Sequence, residues 1–126
     1  SDLVFVVYRD VADNLRFAVA RQEVRKGRRM ISREDFSFTI GYDGETAIVD
    51  GKAKASYGKL DTIGLAKAGQ YRAAFASALW SGNEEEVTAF AAIFNEKAGT
   101  GFSTQDEFSR LFGVRKETIS RVMVLK

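Results

Sequence analysis

Apolar positions along the chain change their spacing once, and the change divides it into a β half and an α half. "LVFVVY" at residues 3–8 is an unbroken apolar run rich in β-branched and aromatic side chains. At that length it predicts a strand covered on both faces. "NLRFAVARQEV" then brings Leu15, Phe17 and Val19 to one side of a second strand, with Arg16 opposite. In "DFSFTIGY" the alternation sets Phe36, Phe38, Ile40 and Tyr42 on one face and Ser37, Thr39 and Gly41 on the other. The pairs Asp43-Gly44 and Asp50-Gly51 bracket "ETAIV", and each predicts a tight hairpin turn, because a type I′ turn needs positive φ at both central residues. Residues 3–57 therefore predict an antiparallel meander of four or five strands.

After Gly58 the period becomes helical. "KLDTIGLAKAGQYRAAFASALWSG" is Ala-rich and carries Leu65, Ala68, Tyr71, Phe75 and Leu79 at helical spacing, with Trp80 as an anchor near its end. "NEEEVTAFAAIFNEKAG" puts Val87, Phe90, Ala91 and Phe94 on one stripe. Asn83 can cap that helix, Glu86 stands where a capping box wants it, and Glu84 to Glu86 suit the positive end of the helix dipole. Gly99 ends it. The expected fold class is α+β: an N-terminal sheet packed by an Ala-rich helix in residues 1–82, then a three-helix unit in residues 83–126.

The last helices lie in "STQDEFSRLFGVRKETISRVMVLK", residues 103–126. Ser103 can cap the first, Phe108, Leu111 and Phe112 form its apolar side, and Gly113 lies where a left-handed residue commonly stops a helix. Val114 can bury in the turn. A second helix then puts Ile119, Val122, Met123 and Lys126 on one stripe, and Glu117, Ser120, Arg121 and Val124 opposite; Val124 and Leu125 are left without an evident cover. Thr104-Gln105, Ser109, Gly113-Val114 and Thr118-Ile119-Ser120-Arg121 stand in the order and spacing of a helix-turn-helix, and the segment resembles that of phage-repressor-type transcription regulators. It departs at Arg115, where such proteins carry a capping Ser or Thr. The resemblance implies a recognition helix in the major groove, with Glu117, Ser120 and Arg121 toward the base edges. Gln105, Arg110, Arg115, Lys116 and Thr118 would hold the DNA backbone. It also implies a homodimer, since such proteins pair half-sites; the β domain or the small-residue helix face around Ala68 to Ala78 would be the interface. The alternative is a helical hairpin that only packs against the sheet.

A second candidate is "RFAVARQEVRKGRRMISR", residues 16–33, with seven Arg or Lys against one Glu. Arg25, Lys26, Arg28 and Arg29 form a basic patch at the predicted hairpin tip that could follow a phosphate backbone. Phe17, Phe36 and Phe38 could stack bases beside it, although aromatic residues at period two ordinarily point into a core. Positive charge on an edge strand also serves simply to resist edge-to-edge pairing.

Composition narrows the chemistry. The 126 residues contain no Cys and no His, so disulfides, thiol nucleophiles, imidazole catalysis and the usual zinc sites are excluded. An enzyme is not expected, and neither a metal nor a cofactor is called for. Glu84 to Glu86 are consecutive on a helix and point in different directions, Asp43 and Asp50 belong to turns, and Gly58, Gly64 and Gly69 lack the Gly-Lys-Ser/Thr of a phosphate loop. Net charge is only +2, so an anionic partner must be met by a local patch. The longest apolar run is far too short to span a membrane, and a cytoplasmic location is the default expectation. The expected function is sequence-specific binding of double-stranded DNA. The rivals are a single-stranded DNA or RNA binder using residues 16–33, and a non-catalytic protein-interaction module.

Overall fold

The computed structural model describes residues 3–10, 12, 14–21, 24–26, 31–114, 119 and 121–125. It is a mixed α+β protein with a curled sheet and, among the described residues, six helices. The chain forms two compact units, residues 1–58 with 116–126 and residues 59–115. The expected division after residue 82 is thus displaced to Gly58, and the chain's end returns to the first unit.

In the first unit, β1 (Leu3–Asp10) and β2 (Leu15–Arg21) form an antiparallel hairpin, and β1 pairs on its other side with β4 (Thr39–Asp43). β4 continues antiparallel to β5 (Thr46–Asp50) through Asp43-Gly44, where Gly44 has the positive φ of 60° that the turn requires. β6 (Arg121–Leu125) lies parallel to β5 and antiparallel to β3 (Val24–Lys26). The strand order is β2-β1-β4-β5-β6-β3. Since β2 and β3 are successive stretches of chain at opposite ends of that order, the sheet curls, and β2 also runs close to β6. A meander is therefore not what forms: β3 pairs with the far end of the chain.

Two local expectations are corrected as well. The alternating stretch at 35–42 starts as the short helix α1 (Arg33–Ser37), capped by Ser32, and becomes strand only at Thr39. Phe36 and Phe38 are buried nonetheless. Asp50-Gly51 is a helix start rather than a hairpin turn: the Asp50 carboxylate accepts from the amides of Lys52 and Ala53 and opens α2 (Gly51–Tyr57). Gly51 is required by close approach, because a Cβ there would stand 2.1 Å from the Leu125 carbonyl oxygen. Tyr8 and Ile48 are packed with Ala18, Ile40, Met123 and Leu125 in the core of the sheet. Lys54 of α2 forms an ion pair with Asp35 of α1, which is buried.

The second unit is helical. The Ala-rich stretch breaks into α3 (Thr62–Lys67) and α4 (Tyr71–Ser81). α4 is buried continuously from Ala73 to Leu79, so its small residues serve close helix packing on more than one side. α5 (Glu84–Ala98) begins at Asn83, whose side chain accepts from the Glu85 amide, and buries Val87, Phe90, Ala91 and Phe94 as the stripe predicts. Glu86 does not complete a capping box; it accepts from the Thr62 hydroxyl at 2.6 Å, and Thr62 Oγ1 lies 2.8 Å from Ser77 Oγ, which ties α3, α4 and α5 together. α6 (Gln105–Phe112) is capped by Thr104 rather than Ser103, in a reciprocal box with Glu107. The backbone amides of Ser103 and Thr104 hold the Glu107 carboxyl below its ordinary pKa. Gly113 ends α6 in the left-handed conformation, and Val114 is buried after it, both as the pattern predicts. Phe75, Phe90, Phe94, Phe108 and Phe112 form one aromatic cluster with ring centroids 5.2 to 6.2 Å apart.

Candidate functional site

The outer face of the β1–β2 ribbon is the most unusual surface among the described residues. Register places Phe5 opposite Val19, Val7 opposite Phe17 and Arg9 opposite Leu15, and paired residues in a ladder point to the same side. All six are exposed: Phe5 is 85% accessible, Phe17 74%, Leu15 52%, Val19 51% and Val7 42%. The opposite face supplies Tyr8 and Ala18 to the core. Among the described side chains of the "LVFVVY" run, Tyr8 is covered while Phe5 and Val7 are not, in place of the double cover that the run predicts.

The ribbon's tip is held by Asp10. One carboxylate oxygen accepts from the amides of Ala12 and Asn14, both at 2.9 Å, and the other accepts from Arg16 Nε at 2.8 Å. The Arg16 hydrogen bond, seconded by the backbone, keeps the Asp10 carboxyl below its ordinary value. Beside the ribbon lies an open depression of about 500 Å³, lined by Val7, Tyr8, Arg9, Leu15, Tyr42, Asp43 and Gly44. Of these, Arg9 is paired with Leu15 on β2 and with Tyr42 on β4.

The residues singled out from the sequence are distributed differently. The second helix expected after Gly113 is corrected at its C-terminal part, because Arg121 to Leu125 form β6, with Val122 and Val124 buried. Alternate burial of β-branched residues beside a parallel neighbour is what a strand provides and a 3.6-residue period does not. Arg121 stands exposed on that strand, directly opposite Lys26 of β3, while Arg25 is opposite Val122. The candidate base-reader Arg121 and the candidate patch residue Lys26 therefore share one register position of the β3–β6 ladder, and Arg25 shares the next with the buried Val122. Gln105 and Arg110 are exposed on α6, in the other unit. Arg28, Arg29, Arg115, Lys116, Glu117, Thr118 and Ser120 lie outside the described residues. The proposed stacking group is corrected too: Phe36 and Phe38 are each 4% exposed, and only Phe17 reaches the surface.

Phe5, Val7, Leu15 and Val19 were not candidates from the sequence. Their signal was present as apolar residues at both parities of a hairpin that ends one side of a sheet. Among the described residues no group of acidic side chains could hold a metal ion, and no helix is long and apolar enough to cross a membrane. Comparison with protein-family models, with curated proteins and with solved structures returns no match, so the functional reading rests on the residues and their geometry.

Proposed function

We propose that this protein binds single-stranded nucleic acid, without catalysis, along the β3–β6 edge, where Lys26 is paired with Arg121 and Arg25 is the next residue of β3. The observation that carries the reading is the pairing of Lys26 with Arg121 across β3 and β6. Those two residues are remote in sequence, and each comes from a segment whose charge suggests phosphate binding. Residues 16–33 carry seven positive side chains and one negative one, enough for a strand of phosphates to follow despite a net charge of only +2. A single strand is preferred to a duplex because the stretch that would supply the major-groove helix contains β6.

The test is a gel-shift series with single-stranded DNA, RNA and duplex of one sequence, at two salt concentrations. The wild-type protein should retain the single strands at low salt. An Arg25→Ala, Lys26→Ala, Arg121→Ala variant with unchanged circular dichroism should bind every sequence more weakly. Its salt slope should fall by about 2, roughly 0.7 for each phosphate that is no longer neutralised. An unaffected triple variant, or no retention of any nucleic acid, would sink the proposal. Sequence-dependent retention of duplex alone would return the regulator reading.

A further inference from the structure

We infer that the outer face of the β1–β2 ribbon is a self-association surface on which a second copy of this chain packs face to face. The inference does not depend on the nucleic-acid reading, which uses the β3–β6 edge. It starts from area. With side chains of about 200 Å² each, Phe5 and Phe17 at 85% and 74% exposure present roughly 300 Å². Val7, Leu15 and Val19 raise the patch to on the order of 500 Å², the upper part of what a monomer's largest apolar patch reaches. Two such faces together bury about 1,000 Å² before the rim is added, the lower bound for a specific interface.

The arrangement is also self-complementary. Phe5 beside Val19 and Val7 beside Phe17 make a checkerboard of large and small side chains. A two-fold axis lying in the face and running along the strands lays each Phe of one copy over a Val of the other, so both rings enter gaps. The same operation puts Arg9 over Leu15 of the second copy, where the arginine stem can pack and its guanidinium can reach water. Such an interface is isologous and closes at two copies, with the two sheets stacked about 10 Å apart.

A second copy fits this face better than a nucleic acid does. Along the outward row the basic positions stand at the ends, Arg9 beside Leu15 and Arg21 beside Leu3, and the middle is Phe5, Val7, Phe17 and Val19, which leaves a phosphate chain few partners there. Asp10, which ties the turn of the ribbon through Ala12, Asn14 and Arg16, holds the two strands in the register the checkerboard needs.

Sedimentation equilibrium of the full chain over the micromolar range tests the inference. The wild type should fit a monomer–dimer equilibrium. Phe17→Glu and Phe5→Glu, each confirmed as folded by circular dichroism, should weaken the dimer by about 30-fold or more, the scale of a hot-spot residue, and Phe17→Leu should retain it. Three results overturn the inference: a wild type that stays monomeric throughout, an open ladder of larger species, or a dimer indifferent to both glutamates. If Phe17→Glu abolishes oligonucleotide binding and leaves the dimer intact, the face is a stacking platform and the inference fails; the salt-slope test of the β3–β6 edge stands or falls separately.

Discussion

Gly51→Ala tests whether residues 121–125 form a strand beside β5. A Cβ on Gly51 falls 2.1 Å from the Leu125 carbonyl oxygen and 2.9 Å from Val124 Cγ1, where ordinary contact begins at 3.4 Å. Relief requires β6 to recede by about 1.3 Å, more than a strand ladder with hydrogen bonds of about 2.9 Å can absorb and remain paired. The obstruction is backbone on one side and a buried Val on the other, so no flexible side-chain end can yield. Overpacking of this kind costs about 1–3 kcal/mol, and the gain from Ala over Gly in a helix, at most about 1 kcal/mol, offsets only part of it. Hydrogen exchange of peptides covering β5 and β6 is the appropriate assay, because it reports the pairing itself. Exchange there should quicken by up to roughly 30-fold, the factor equivalent to the remaining ~2 kcal/mol. Gly44→Ala is the control: nothing lies within 4 Å, and only its φ of +60° opposes a side chain, at about 1–2 kcal/mol. If Gly51→Ala instead slows exchange, as an unobstructed Gly→Ala change does by reducing the entropy of the unfolded chain, then Leu125 is not where the strand puts it and the helical reading of the tail revives.

Two further outcomes follow from polar groups. Thr62→Val removes the donor to Glu86 and the hydroxyl beside Ser77 at the junction of α3, α4 and α5; it should destabilise the helical unit by about 1–3 kcal/mol, read by fluorescence of Trp80, the chain's single tryptophan, while Thr62→Ser restores most of the stability. A change under about 0.5 kcal/mol, the range of neutral surface substitutions, would mean the hydroxyl network contributes nothing. Asp10 is held below its ordinary 3.8 by Arg16 and the backbone, so its contribution is complete above that value and disappears as pH falls through the lowered one. Melting temperatures of wild type and Asp10→Asn should therefore differ by a constant amount above about pH 5 and converge on acidification; because Arg16 and the turn are exposed, added salt should shrink the gap, and a gap that widens toward low pH would contradict the assignment.

Most of the helical unit was legible in the sequence because its signals are local. Asn83, Gly99 and Gly113 punctuate helices by caps and positive φ, and the stripe Val87, Phe90, Ala91 and Phe94 needs only one helix's own period to be read. The misplacements there are short-range: Thr104 takes the cap in place of Ser103, and Glu86 faces Thr62, a partner 24 residues away. The sheet was legible only where pairing is local, at the β1–β2 and β4–β5 hairpins. The β5–β6 pairing is parallel and bridged by about seventy residues. A parallel pair needs a long crossover, here containing the whole helical unit, and no neighbouring residue records it.

The tail marks where periodicity alone misleads. "RVMVL" is a short apolar run of the same kind as "LVFVVY", and short runs fit a buried strand or a helix equally until something arbitrates. Reading it as a helix put Val124 on the polar face and left Leu125 uncovered. As a strand the same residues are accounted for: Val122 and Val124 bury on one side, Met123 and Leu125 pack on the core around Tyr8 and Ile48, and Arg121, at the start of the strand, is exposed. β-branched content should therefore have outweighed the helix-turn-helix spacing at residues 121–125. The same criterion applied to the β1–β2 ribbon has the opposite outcome, since its second apolar face, Phe5, Val7, Leu15, Phe17 and Val19, finds no cover within the described residues. One apolar surplus is explained by a strand pairing inside the chain; the other, by the same reasoning, calls for a second chain.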